Sequence, residues 1–197
     1  MAAETSEQGY QQVTVADIVR RAGTARNTFY ENFRSKEDCF AATQEYAMTA
    51  ALERVVDAAG AVERWPQRVR AGLAAFLSYV AAEPALARTC MVDALSAGPA
   101  AVEYYERSQQ AFVSLFRLGR DVSPRGADLP ETLEEAIIGG VFWIVYQRLA
   151  AGEVAAIPDL LPELVEFALT PYLGAEGARR VGSGDADGPD EAPDAEL

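Results

Sequence analysis

The sequence predicts an all-α protein in two helical parts, and three observations carry that expectation. Apolar residues recur three and four apart along most of the chain, no stretch shows the alternation of a half-buried strand, and prolines and glycines fall at intervals of about one helix. Half of the 197 residues are hydrophobic, enough for a sizeable core without disulfide or metal staples.

The elements follow in order from their caps and breakers. Thr14 with Asp17 three residues on resembles a capping box with Asp in place of Glu, and Val15, Ile18 and Val19 then share one helix face. Gly23 closes this helix, as a glycine just past a C-terminus does. Thr24 offers a second N-cap, for a short helix to about Phe33. Ser35, with Asp38 three residues on, opens a long alanine-rich helix over about 36–59. Pro66 suits the first turn of a helix to about Ala82, and Pro84 starts another that ends near Ser96–Pro99. A helix over about 100–119 carries a run of aromatics; a loop with Pro124, Gly126 and Pro130 separates it from helices over 131–151 and 158–173. From Gly174 the chain is mostly Gly, Ala, Asp, Glu and Pro, the composition of a disordered acidic tail. The expected organisation is therefore 1–46, 47–173 and a tail over 174–197.

Composition removes several function classes. There is no histidine, which excludes Ser/His and Cys/His nucleophilic sites and the commonest metal ligand. No paired-carboxylate or phosphate-loop motif replaces it, so neither an enzyme nor a cofactor is expected. Cys39 and Cys90 lack metal or redox spacing and read as small apolar side chains. No apolar run reaches the roughly 18 residues of a membrane span, and the first residues lack a signal-peptide pattern. A cytoplasmic protein with no membrane partner is the expectation.

The net charge is −13, but it is unevenly spread. Residues 1–46 hold five basic side chains, all between Arg20 and Lys36, the sole lysine. That is a local basic patch on an acidic protein, which screening over about 8 Å allows to act locally. The patch coincides with Thr14–Phe33, where two short capped helices flank a turn glycine in the pattern of a helix-turn-helix. The second helix of such a unit enters the major groove and presents its N-terminal residues to base edges. Here it begins Thr24-Ala25-Arg26-Asn27-Thr28. Arginine can pair with guanine, asparagine with adenine, and threonine can touch a thymine methyl or a phosphate. Tyr30 and Lys36 are placed for the phosphate backbone. Arg20 and Arg21 fit a solvated face as well as DNA contact.

The segment resembles the DNA-binding domain of the TetR family of regulators. The matching residues are Gly9-Tyr10, Thr14-Val15, Asp17-Ile18, Ala22-Gly23, Thr28-Phe29-Tyr30, Phe33 and Ser35-Lys36-Glu37. The resemblance implies a homodimer on double-stranded operator DNA, with a helical ligand-binding and dimerisation domain after the DNA-binding unit. It implies that Thr14 lies near phosphate, that Thr24 caps the recognition helix, and that Arg26, Asn27 and Thr28 contact bases or phosphates. Tyr30 and Lys36 then contact phosphates, while Ile18, Ala22, Phe29 and Phe33 form the small core. The expected function is a repressor released from a palindromic operator by a small-molecule effector. Only eight residues precede Gly9, and Thr5 and Ser6 stand where apolar residues are expected. The first helix of the unit is thus expected to be truncated, and the alternative is a dimeric small-molecule-binding protein with weak or no DNA binding.

In the second part, Leu133, Ile137, Gly140, Val141 and Ile144 form one apolar stripe, and Leu161, Leu164, Val165 and Ala168 another. Two such helices can build a four-helix bundle across a two-fold axis, and the resemblance implies that these residues are the dimer interface; the alternative is that both stripes are intrachain core. A ligand cavity should be concave and mostly apolar. Its candidate lining is Phe76, Tyr79, Met91, Tyr104, Tyr105, Phe112, Phe116, Trp143 and Tyr146, with Asp93 as a polar anchor. Aromatics with few basic residues favour an apolar or cationic ligand.

Overall fold

A computed structural model describes residues 1–123 and 125–185, and among them every regular element is a helix. The N-terminal helix-turn-helix unit comprises α1 (Ala2–Gln8), α2 (Val15–Ala22) and α3 (Arg26–Asn32). The connecting helix α4 (Lys36–Gly60) leads into α5 (Trp65–Ala82), against which it packs along much of its length. Then come α6 (Pro84–Met91), a 3-10 turn at Asp93–Ser96, α7 (Pro99–Arg117), the four-residue α8 (Gly119–Val122), α9 (Leu133–Ala151) and α10 (Leu161–Ser183).

The local chemistry accounts for the boundaries. At the start of α2 both halves of the capping box are made: the Asp17 N–H donates to Thr14 Oγ1 and the Thr14 N–H to Asp17 Oδ2, at 3.3 and 3.0 Å. Gly23 ends α2 at φ +63°, a left-handed conformation that glycine adopts without a Cβ penalty. The Asp38 N–H donates to Ser35 Oγ at the start of α4. The expected cap at Thr24 is not made: Ala25 is the N-cap of α3, and no side chain caps it. The turn runs one residue longer than the sequence suggested: Thr24 closes the end of α2, its N–H donating to the Val19 carbonyl.

Two cores organise the chain. A small one joins Val13, Ile18, Phe29 and Cys39, with Val15, Val19 and Phe33 partly buried against it. Ala22, expected here, is exposed. The large core gathers Val55, Phe76, Leu77, Val80, Phe142 and Val145 with their neighbours on α4–α7, α9 and α10. Cys39 and Cys90 are free and buried, as small apolar side chains.

The first helix is present and seven residues long. Thr5 is fully buried because α1 lies against α6 of the sensor part, and Thr89 Oγ1 donates to the Ala2 carbonyl. Arg21 ties α1 to α2 through ion pairs with Glu7 and Glu4. At the start of α1, Met1 packs against the small core of Val13, Ile18, Phe29 and Cys39.

The expectation of a disordered tail from residue 174 is corrected over its described part. Gly174 breaks the helical path at φ +73°, but α10 resumes and runs to Ser183. Ala178 and Val181 are buried with Trp65, Val69 and Leu73 of α5. Residues 186–197 of that expected tail lie outside the described residues.

The expected dimer stripe is also corrected. Ile137, Val141, Leu164, Val165 and Ala168 are buried within the single chain, and Leu133, Ile144 and Leu161 pack partly buried against the same cores. Gly140 sits beneath Phe167, where a Cβ would come within 3.1 Å of the ring. The reason is that α9 is apolar nearly all round, so its sequence does not say which side faces inward. The side left to solvent carries Trp143 at 58% exposure, and Phe167 of α10 stands at 45%.

Candidate nucleic-acid interface and sensor cavity

Two regions of the molecule offer chemistry to a partner. The first is the outer face of α2 and α3. Thr14, Thr24, Arg26, Asn27, Thr28 and Tyr30 are all exposed there, while Phe29 behind them is buried and anchors α3 to the small core. Arg26 lies over the Tyr30 ring, 5.7 Å from its centroid, and makes no ion pair among the described residues. Arg20, Arg21 and Arg34 are paired with Asp17, Glu7 and Asp38. The free hydrogen-bonding groups of the face therefore concentrate on the N-terminal turn of α3.

Lys36 is placed differently from its expected role. Its Nζ donates to the Tyr10 carbonyl at 3.1 Å and stands 4.2 Å from the Tyr10 ring centroid. Tyr10 in turn donates from its hydroxyl to Glu37, and its ring meets Phe40 edge-on. Burial and the Glu37 charge push the Tyr10 hydroxyl up to about 12. The contact between the two parts is built around this tyrosine. Gln11 donates to the Ser96 carbonyl at 2.6 Å, and Gln44 to the Ala101 carbonyl at 3.3 Å.

The second region is a cavity of about 1240 Å³ in the sensor part, between α4, α5, α7, α9 and α10. Of the ten expected lining residues, it brings together Phe76, Phe112 and Phe116. Tyr79 is buried under the Arg54 guanidinium, 4.7 Å from its ring centroid. Met91 belongs to the closed core, and Tyr105 packs edge-on to Phe142 from outside the cavity. Tyr104 lines a separate surface cleft of about 220 Å³ with Met48, Leu52 and Arg107. Trp143 and Tyr146 stack on each other on the outer side of α9, their centroids 5.3 Å apart. Asp93 is buried at the contact with the DNA-binding unit; burial raises its carboxyl against the opposing Arg88 charge and Tyr10 N–H. Residue type alone does not fix which side of a helix faces inward, and helix register sends seven of the ten to other faces.

Sequence reasoning missed most of the wall, including Trp65, Leu73, Ile138, Val141, Phe142 and Tyr172. Trp65 can lie across the cavity only because residue 119 is glycine: a Cβ there would come within 2.0 Å of the indole. Arg64, Arg68 and Arg125 stand at the mouth with Glu63 and Asp121, so its charge does not favour a cationic ligand. The Trp–Pro pair at 65–66 was legible as a helix start, but nothing in it marks a wall.

One side of the mouth is held by a buried charge. Glu134 is fully buried and accepts from Arg120 Nε and Nη2 at 2.8 and 2.9 Å and from the Tyr172 hydroxyl at 2.6 Å. Arg120 also donates to the Leu129 and Pro130 carbonyls, and Ser123 Oγ to the Tyr172 carbonyl. Burial raises the Glu134 carboxyl, but the hydrogen bonds from Arg120 and Tyr172 outweigh it and hold the group below the usual carboxylate range. Burial and the Glu134 carboxylate push the Tyr172 hydroxyl well up.

Comparison with known proteins bears on both regions. Residues 2–43 match the family model of the bacterial regulatory proteins of the tetR family. An uncharacterized HTH-type transcriptional regulator of Bacillus subtilis (strain 168), YvdT, is 40% identical over 50 residues, which are 25% of this chain and 26% of that protein. The match thus spans about a quarter of the relative's length. The fatty acid degradation regulator FadR from Bacillus halodurans superposes with a TM-score of 0.66 at 18% identity, over 81% of this chain and 92% of its own. A transcriptional regulator FadR from Bacillus subtilis, solved in complex with stearoyl-CoA, gives 0.71 at 16% identity, over 88% and 94%. At these identities the likeness shows a shared fold, an N-terminal helix-turn-helix unit followed by a helical C-terminal domain. Among the described residues no helix is long and apolar enough to cross a membrane.

Proposed function

We propose that this chain, which belongs by its N-terminal domain to the tetR family of bacterial regulatory proteins, is a ligand-responsive transcriptional regulator that binds operator DNA as a homodimer in the cytoplasm. The observation that carries the reading is the α3 face: Thr24, Arg26, Asn27, Thr28 and Tyr30 are exposed on a helix fixed from behind by Phe29. Groups of this kind, presented from the start of a recognition helix, are what direct base readout needs.

The effector occupies the sensor cavity. Its walls are apolar, and the Bacillus subtilis neighbour of the same fold was solved with stearoyl-CoA, which supports an effector with a largely apolar body. Ligand releases DNA only if it binds the non-DNA conformation more tightly, by a coupling free energy of about 1–3 kcal/mol in typical cases. The route between the sites runs through α6, whose Thr89 meets Ala2 of α1, the turn at Asp93–Ser96, which meets Tyr10 and Gln11, and α4, whose Phe40 packs on Tyr10. The dimer forms through α9 and α10 by the side opposite to the expected stripe, where Gly139, Trp143, Tyr146 and Phe167 remain accessible. A two-fold pair of recognition helices then meets half-sites about one helical turn apart.

The test is selection of bound fragments from genomic DNA, followed by gel shifts over a range of salt. A palindromic site whose affinity falls steeply with salt is expected. Replacing Arg26, Asn27 and Tyr30 together by alanine should weaken binding by about a hundredfold or more, at ~1–3 kcal/mol per base-reading pair. Undiminished operator binding by that variant would overturn the reading.

A further inference from the structure

Polarity in the sensor cavity is divided by depth. Every charged residue that lines it is exposed: Glu63, Arg64, Arg68, Asp121 and Arg125 all stand at the mouth. The half-buried lining residues add two polar groups beside them, the Ser123 hydroxyl and the Trp65 indole N–H. The mouth also carries the exposed apolar side chains Val56, Leu118 and Val122, at 46, 56 and 62% exposure. The buried lining is of another kind. Gly72, Phe76, Phe112, Ile138, Val141 and Phe142 offer no side-chain hydrogen-bonding atom at all. The one buried lining residue that has a polar atom is Tyr172, and its hydroxyl is committed to Glu134 at 2.6 Å. The segments of α4, α5, α7 and α9 around the inner end are helical and take up their own backbone groups, while α10 is interrupted at Gly174, where the Tyr172 carbonyl accepts from Ser123 Oγ of the mouth.

A polar group carried to the inner end would therefore lose its water and gain no partner. From this zoning we infer that the effector is a single-ended amphiphile: a hydrocarbon tail enters first and fills the buried end, and the polar head stays at the arginine-bearing mouth. The inference rests on the cavity being the effector site. It assigns the end of the ligand that is recognised. The inner end selects against any oxygen at the tail terminus, whereas the mouth, open to solvent, accepts heads of different size. A free fatty acid and its coenzyme A thioester share this chemistry, and polyhydroxylated ring compounds and dicarboxylic acids do not.

The test is calorimetric titration of the full chain with stearic acid, stearoyl-CoA, the ω-hydroxy derivative of stearic acid and the dicarboxylic acid of the same length, all below their micelle concentrations. One or both of the first two should bind; which of them does identifies the source of the tail. The ω-hydroxy acid should bind about tenfold or more weakly than its parent, the cost of a buried hydroxyl without a partner, and the dicarboxylic acid should not bind measurably. Equal binding of the ω-hydroxy acid and its parent would overturn the inference, and so would failure of both stearic acid and stearoyl-CoA to bind. Gel shifts on the selected operator, run with the same preparation, keep the two readings apart. Operator binding without amphiphile binding removes this inference and leaves a DNA-binding regulator; the expected ligand series without any operator leaves the inference and removes the regulator.

Discussion

Glu134 carries the clearest consequence at the scale of a single residue. A fully buried carboxylate is costly unless it is paired and saturated with donors, and here Arg120 and Tyr172 supply three hydrogen bonds. Removing one partner leaves the other charge stranded. Glu134→Ala is expected to lower stability by about 3–5 kcal/mol, read by denaturant unfolding. The pH dependence follows in sign. The folded carboxyl is held below its ordinary value, so its contribution is present above the unfolded pKa of roughly 4.3 and is lost as pH falls through the folded value. The acid limb of the wild-type unfolding profile should therefore be steeper than that of Glu134→Gln. This group was invisible in the sequence, where Glu134 is one of three glutamates opening a helix. Its partners lie 14 and 38 residues away, beyond any local pattern. Caps were legible because their chemistry is local: Thr14, Asp17 and Ser35 act within three residues.

At the scale of elements, existence and order were legible, while the inward face of each helix was not. Helix α9 shows why: a helix apolar on both sides has no moment to orient it, so the stripe read as an interface proved to be core. The end of α10 shows the converse, because Ala178 and Val181 bury enough against α5 to hold a segment whose composition reads as a tail. Helix α1 was underestimated because its partner, α6, lies some eighty residues away. Thr5 Oγ1 is buried there without a hydrogen-bond partner. Thr5→Val removes that unsatisfied hydroxyl at nearly constant shape, and the unfolding midpoint should stay level or rise. The contact of α8 with α5 gives a prediction of opposite sign. Gly119→Ala places a Cβ where the Trp65 ring lies, so the indole must move. The substitution should cost about 1–3 kcal/mol, alter Trp65 emission and change ligand affinity. A silent Gly119→Ala would mean that Trp65 does not lie across the cavity wall.

For the whole molecule, charge and assembly set opposite salt dependences. Two copies of a chain of net charge −13 repel each other, so their association must come from apolar contact. The accessible stripe of Gly139, Trp143, Tyr146 and Phe167 supplies it, and glycine at 139 lets a partner backbone approach closely. A stable interface needs roughly 800 Å² per partner, with an aromatic anchor near its centre, and Trp143 is the largest exposed apolar side chain on the two helices. Added salt should therefore leave the dimer unchanged or tighten it, while it weakens operator binding through counterion release. Trp143→Glu separates the functions. It places a charge in the centre of the proposed contact, yet Trp143 faces away from the cavity and from the DNA-binding unit. Sedimentation at micromolar concentration should show a folded monomer whose unfolding midpoint no longer depends on protein concentration. Ligand affinity should persist, and operator affinity should fall because one recognition helix reaches only one half-site. A dimer that survives Trp143→Glu would place the two-fold axis elsewhere, and with it the spacing of the half-sites.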